Sequence, residues 1–326
     1  MKSEIRWCVA CAIHAAHFPI HVLHQALSGA SNRHDSRECA ALFLPPSHLS
    51  QQQNKEGGGA VEKEVKTVQD YLMAILPYQQ RAFAQIHRFG AKRPALLFRG
   101  QKENQKLRAK IADVVANNEI SRQIGFERER LALLRRQLNV SREYSDWDLI
   151  AIAQHHGIAT RFLDWTSNSL IAVWFALGSG RTPYSESGKS VVYLLETCES
   201  DFEVPVDERS PIPEHKGSRT VIFIPQMIDS RISAQDSYLM RQVYEYQSNN
   251  GENHLVIRPV DVNPTFNGRV YRVPITDDEE ARTLLLDELA KYGYANNSIR
   301  PDANDWEEIK KACDDLKSFF KKENEQ

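Results

Sequence analysis

The chain has 326 residues, 41% of them hydrophobic and 26% charged, which is enough for one large or two modest globular domains. A formal net charge of -2 excludes a strong overall attraction to nucleic acid or to an anionic membrane. No membrane partner is expected, and five cysteines, an odd number without a regular framework, predict free thiols in a reducing compartment, hence a cytoplasmic protein.

The first 64 residues differ from the rest. They hold six of the eleven histidines and three of the five cysteines, then pass through Pro45-Pro46 and a glutamine run to Gly57-Gly58-Gly59, which reads as a linker. The apolar stretch after Lys2 and Arg6 carries too many histidines for an export signal and is too short and polar to span a bilayer. Cys8 and Cys11, followed by His14, His17, His21 and His24, invite a zinc reading. Residues three apart along one helix fan out too far to close one tetrahedron, so no metal is expected. We therefore read residues 1–64 as a disordered or accessory extension.

From Val65 the apolar residues Val68, Tyr71, Leu72 and Ile75 take helical spacing, with Thr67 as a start signal and Pro77 as the expected end. Ala95 to Gly100 reads as a short strand that delivers Arg99 at its exit. The glycine beside it permits tight backbone geometry or close ligand approach. Residues 101–142 are helix-rich and basic, with ten Lys/Arg against five Asp/Glu. Phe126, Leu131, Leu134 and Leu138 line one face of a helix there. Asp146 is placed to cap the next helix, Trp147 to His155.

Gln154 to Leu177 is the stretch on which the chain turns. Thr160 to Trp165 reads as a strand, Thr166-Ser167 as a polar turn, and Ser169 to Leu177 as a buried helix with Ser167 or Asn168 as its cap. Backbone N–H groups at such a helix start suit a polar or anionic ligand. Arg161 and Asp164 are expected to pair, either bracing the core or facing a ligand. His155 or His156 with Asp164 also has the makings of a base and its orienting acid, although no activated nucleophile accompanies them. Further strands are expected at 190–195, 220–225, 231–240 with Gln235 in the middle, 254–259 and 269–275. Helices follow at 277–292 and over the closing residues, where Trp306, Ile309, Cys313, Leu316 and Phe320 share a face. Helices first and strands later give an α+β fold: a helical N-terminal part, then a mixed, mainly antiparallel sheet with flanking helices. No Walker loop, GxGxxG, HExxH or GxSxG motif is present.

Residues 65–320 resemble the FRG domain family, named for a Phe/Tyr-Arg-Gly motif that stands here as Phe98-Arg99-Gly100. A second block runs Gln154-His155-x-Gly157-x-x-Thr160-Arg161-x-Leu163-Asp164-Trp165-Thr166, followed by Ala172, Phe175 and Ala176. Arg231-Ile232-x-Ala234-Gln235 is a third block, and the segment from Ser298 to Asp305 a fourth. The sequence departs from the family pattern at Ala159, where proline is usual, and at Arg300, where phenylalanine is usual. It departs again after Gln235, where Asp236-Ser237-Tyr238 stands in place of glycine and phenylalanine.

An arginine on one strand, a hydroxyl on a second before a helix, and an acid or amide on a third is also the layout of ADP-ribosyltransferase-like folds. By that analogy Arg99, Gly100, Arg161, Thr166 and Ser167 would hold NAD. Gln235 would stabilise positive charge at the breaking glycosidic bond, with Asp164 or Glu245 supplying the missing negative charge. The setting implied is an intracellular effector in phage defence or a toxin–antitoxin pair. The alternative is a non-catalytic module that binds a nucleotide, or nucleic acid, through Arg99, Arg161 and the basic segment 101–142.

Overall fold

A computed structural model describes residues 64–89, 93–102, 105–114, 120–138, 144–178, 189–204, 219–226, 230–249, 252–301 and 307–324. The cysteines and histidines of the extension lie outside the described residues, as does Trp306.

The chain enters through α1 (Val68–Phe89), whose first turn is fixed by Thr67: its hydroxyl accepts the Asp70 N–H at 3.0 Å and donates to the Asp70 carboxylate at 2.9 Å. Val68, Tyr71, Ile75 and Ala82 form the buried stripe. The expected stop at Pro77 does not occur. Pro77 and Met73, whose carbonyl it leaves without a helical donor, both lie on the exposed side, where the orphaned group costs least. Next come β1 (Leu96–Lys102), the single turn α2 (Ile111–Val114), α3 (Ile120–Gln137) and α4 (Asp146–His155). Ser145, not Asp146, caps α4. It takes the Asp148 N–H on its hydroxyl, and the Asp148 carboxylate returns to the Ser145 N–H.

β2 (Phe162–Thr166) leads into α5 (Ser169–Ala176), capped by Asn168, which accepts from Leu170 and Ile171. The remaining elements are β3 (Ser190–Glu196), β4 (Val221–Phe223), α6 (Ser230–Ala234), β5 (Ser237–Arg241), β6 (Tyr244–Asn249), β7 (Glu252–Ile257), β8 (Val270–Ile275), α7 (Glu279–Lys291), α8 (Asn296–Ile299) and α9 (Glu307–Asn324).

Six strands form one sheet in the order β4-β5-β2-β1-β3-β8, and each neighbouring pair is antiparallel. β6 and β7 form a separate hairpin. The fold is therefore mixed α+β with a mainly antiparallel sheet, although β1 and β2 are interleaved among the helices instead of following them. The single strand expected over 231–240 is a short helix, a turn and β5. The Gln235 N–H returns to the Arg231 carbonyl at 2.9 Å, and Asp236 adopts a left-handed φ of 45°, which no continuous strand tolerates.

Both faces of the sheet are covered. On one, α1 and α5 pack over Leu96, Phe98, Val192, Leu194 and Val273, while α3 and α4 pack over Phe162, Phe223 and Leu239. On the other, Leu97, Leu163, Trp165, Tyr193 and Met240 are roofed by Val260 and Phe266. Burial on both sides explains why β3 reads Val-Val-Tyr-Leu-Leu without alternation.

Candidate functional site

The sheet ladder is interrupted between β1 and β2. β1 pairs with β3 along its whole length, and β2 with β5 along all five residues, yet β1 and β2 share a single register pair, Phe98↔Thr166. One residue further along β1 the gap is bridged by a side chain. The Arg99 Nη1 donates to the Asp164 main-chain carbonyl at 2.7 Å, taking the place of a ladder N–H, and lies 3.8 Å from the Asp164 Oδ2. Arg99 thus sits inside β1 and not at its exit.

The Arg99 Nε donates to Gln101 at 3.0 Å, and Gln101 in turn donates to the Gln105 carbonyl at 2.8 Å. Burial pulls the guanidinium below the ordinary arginine value, and the Asp164 carboxylate opposes that pull. Both partners keep contact with solvent: the side chains of Arg99 and Asp164 are 23% and 40% exposed. The polar rim continues behind Asp164. The Gln154 Nε2 donates to the Asp164 Oδ2 at 2.7 Å, the Thr160 hydroxyl donates to the Gln154 Oε1 at 2.5 Å, and the Phe162 N–H donates to the Thr160 hydroxyl at 3.1 Å. Asp164 Oδ1 is buried and accepts no hydrogen bond among the described residues.

Arg161 is elsewhere. It does not pair with Asp164 and does not face a ligand. Its Nε donates to Glu127 of α3 at 2.6 Å, its main-chain N–H donates to the same carboxylate at 2.8 Å, and the two side chains are 1% and 2% exposed. The guanidinium also lies over the Tyr244 ring, 4.9 Å from its centroid, and burial pushes that phenol well above its ordinary range. The physical reason is one of direction. Three residues apart on an extended chain, Arg161 and Asp164 point to opposite faces.

Gly100 also has a different task. A Cβ there would lie 1.8 Å from the Ala172 carbonyl oxygen and 2.5 Å from the Ala176 nitrogen, so the glycine lets α5 lie directly on β1. The space at its missing side chain belongs to that helix and is closed to a ligand.

Thr166 and Gln235 meet, but through the main chain. The Thr166 hydroxyl donates to the Gln235 carbonyl at 2.7 Å and accepts the Asn168 N–H at 3.0 Å. The Ser167 N–H donates to the Asp236 carbonyl at 3.2 Å. Gln235 turns its amide away, donating to the Ile299 carbonyl at 3.1 Å. Glu245 is held by Arg258 at 2.7 Å at the β6–β7 hairpin, outside the main sheet. Gln154 was not among the candidate site residues. Its place in the second sequence block, six residues before Thr160, was the available signal.

The departures from the motif pattern acquire physical accounts. Asp236 stands where glycine is usual and adopts a positive φ, a conformation that glycine takes without strain and aspartate tolerates better than most residues. Arg300, in place of phenylalanine, lies over the rings of Trp174 and Phe175 at 5.3 and 5.6 Å, so a cation covers the aromatic faces. The four blocks form one connected assembly. Block one bridges to block two at Arg99–Asp164, two to three at Thr166–Gln235, three to four at Gln235–Ile299, and four back to two at Arg300–Trp174.

Among the described residues, no group of three or more His, Cys, Asp or Glu could hold a metal ion, and no helix is long and apolar enough to cross a membrane. No curated protein and no solved structure matches the chain. The family model of the FRG domain matches residues 94–184, which contain the Phe98-Arg99-Gly100 motif and the whole Gln154–Thr166 block, and the chain carries an FRG domain.

Proposed function

We propose that the opening between β1 and β2 binds a nucleotide, and that the ligand is NAD, used in an ADP-ribosyltransferase-like reaction. The observation that carries this reading is the partly exposed Arg99–Asp164 pair at the interruption of the ladder. A guanidinium and a carboxylate side by side can orient a polar ligand and meet charge that develops on it. In such a reaction the bond between ribose and nicotinamide breaks, the electron pair leaves with nicotinamide, and positive charge develops on the ribose. Asp164 is the carboxylate we assign to that charge, because the Gln235 amide is committed to Ile299. An intracellular effector role, in phage defence or a toxin–antitoxin pair, is the setting this activity would serve.

That same commitment of Gln235, together with that of the Thr166 hydroxyl, favours a second reading, a non-catalytic nucleotide-binding module. Nucleic acid draws less support. In the basic segment Arg108 is paired with Asp113 and Arg135 with Asp146, so part of its charge is already neutralised.

The test is titration of NAD and ADP-ribose against the wild type and Arg99→Lys, with thermal melts and chromatography for released nicotinamide. Arg99→Lys keeps the charge and loses the fork, so binding weakens by about 1.5–3 kcal/mol. The melting temperature falls only modestly, because lysine cannot replace both the bond to the Asp164 carbonyl and that to Gln101. Binding without nicotinamide release selects the second reading, and failure of both ligands to bind the wild type ends the nucleotide reading.

A further inference from the structure

The hydrogen bonds behind Asp164 run in one direction only. The Asp164 carboxylate only accepts, so Gln154 presents its Nε2 to it, which turns the Gln154 Oε1 to Thr160 and makes the Thr160 hydroxyl the donor there while it accepts the Phe162 N–H. The carboxylate therefore has one oxygen, Oδ2, held by Gln154, and one, Oδ1, buried without a donor among the described residues. A buried acceptor without a donor is costly, and a bound group that brings one removes the cost. The Asp164 carboxylate also lies 3.8 Å from the Arg99 Nη1 and offsets its charge. A phosphate drawn to Arg99 would meet a carboxylate of its own sign at almost the same place.

We infer that the opening takes a neutral, donor-bearing group of the ligand, the ribose hydroxyls, and excludes phosphate, with Gln154 as the residue that positions Asp164 to accept. This rests on the nucleotide reading above and narrows it. Arg99 and Asp164 then grip the ribose, Arg99 donating to its oxygens and the 40% exposed Asp164 side chain turning Oδ1 outward to accept from a hydroxyl, while the phosphates lie outside the opening.

The experiment uses three probes on the full chain: NAD, nicotinamide riboside, which has the ribose and no phosphate, and inorganic pyrophosphate. Each is titrated by calorimetry against the wild type, Asp164→Ala, Asp164→Asn, Gln154→Leu and the double variant Gln154→Leu/Asp164→Ala. Melts confirm that each variant is folded, and Asp164→Asn, equal in shape, serves if Asp164→Ala is not. The riboside is expected to bind and to compete with NAD, whereas pyrophosphate neither binds nor competes. Losing the acceptor at Asp164 should weaken the riboside by about tenfold, the scale of a hydrogen bond to a charged group. Gln154→Leu should weaken it as well, and that effect should vanish in the Asp164→Ala background, as expected of a residue acting through Asp164 and not of one that merely supports the fold. If NAD binds and pyrophosphate displaces it while the riboside does not, the nucleotide reading stands and this inference alone is overturned. Additive effects of the two substitutions remove Gln154 from the positioning role. If none of the three probes binds the wild type, both readings fall together.

Discussion

Two arginine–carboxylate pairs flank β2, and they are built differently. Arg161 and Glu127 are almost completely sealed, the carboxylate takes both the guanidinium and a main-chain N–H, and an aromatic ring lies under the cation. Arg99 and Asp164 stand in a break in the sheet, partly open to solvent, at a loose 3.8 Å, and the carboxylate keeps one oxygen without a donor among the described residues. The first pair is closed off from solvent, with Arg161 Nη2 held by Glu127 as an ion pair and not by an aligned hydrogen bond, and the second keeps contact with solvent. Charge type and motif membership do not separate the two arginines, since both belong to the blocks that resemble the FRG pattern. What separates them is how far the fold seals each pair from solvent. That difference places Arg161 in the core and is the ground on which Arg99 is proposed to meet a ligand.

The sharpest way to break this comparison is to remove the sealed partner. Glu127→Ala leaves the Arg161 guanidinium buried without a counter-charge, and the expected loss is about 3–5 kcal/mol of stability in denaturant titration. A loss near that of a surface pair would mean that Arg161 finds another partner or reaches water. Asp164, by contrast, is no brace for Arg161. Asp164→Ala should cost only about 1 kcal/mol, the upper range for exposed pairs, while its effect on ligand affinity is the larger one.

Between these extremes lies the packing that creates the opening. Gly100→Ala drives a methyl into the backbone of α5 at Ala172, so the helix must lift from β1. The expected cost is about 1–3 kcal/mol, the range for overpacking in a core that cannot give way. Because α5 begins at the Thr166–Asn168 turn, the substitution should also weaken ligand binding. Unchanged stability would show that the helix shifts freely and that the glycine serves another purpose.

Much of this architecture was legible in the residues. The buried helix after Asn168, the amphipathic Leu131–Leu138 face and the apolar run of β3 follow from spacing and capping, which are local. What was not legible is non-local. Glu127 lies 34 positions before Arg161, and only the packing of α3 on the start of β2 makes them neighbours. Nearness in sequence favoured Asp164 instead, although the alternation of side chains along a strand argues against that pair. The single-register contact between β1 and β2 was hidden for the same reason: each strand taken alone has an ordinary pattern. Gln154 was visible only as a motif letter, because its role depends on the carbonyl and carboxylate that the fold brings to its two ends.

The smallest effect expected is at the Gln235–Asp236 turn, and it tests how this chain accommodates its departure from the glycine of the motif pattern. Asp236 holds φ at 45°, among described non-glycine residues the one with a positive value, and its carbonyl takes the Ser167 N–H while that of Gln235 takes the Thr166 hydroxyl. The turn therefore fixes the end of β2 against the start of β5, and its backbone conformation matters more than any one side chain. Asparagine and aspartate tolerate this conformation better than other L-residues, whereas alanine has no polar side chain to compensate. Asp236→Gly accepts the conformation without strain but loosens the unfolded chain, so the two contributions largely cancel. Asp236→Ala keeps the strain and loses the carboxylate. The expected outcome is that Asp236→Gly melts within a few degrees of the wild type and is more stable than Asp236→Ala by about 1 kcal/mol, the scale of placing alanine where φ is positive. Equal melting temperatures for the two variants would mean that the turn relaxes to negative φ when its side chain changes, and that the Thr166 and Ser167 hydrogen bonds do not hold it.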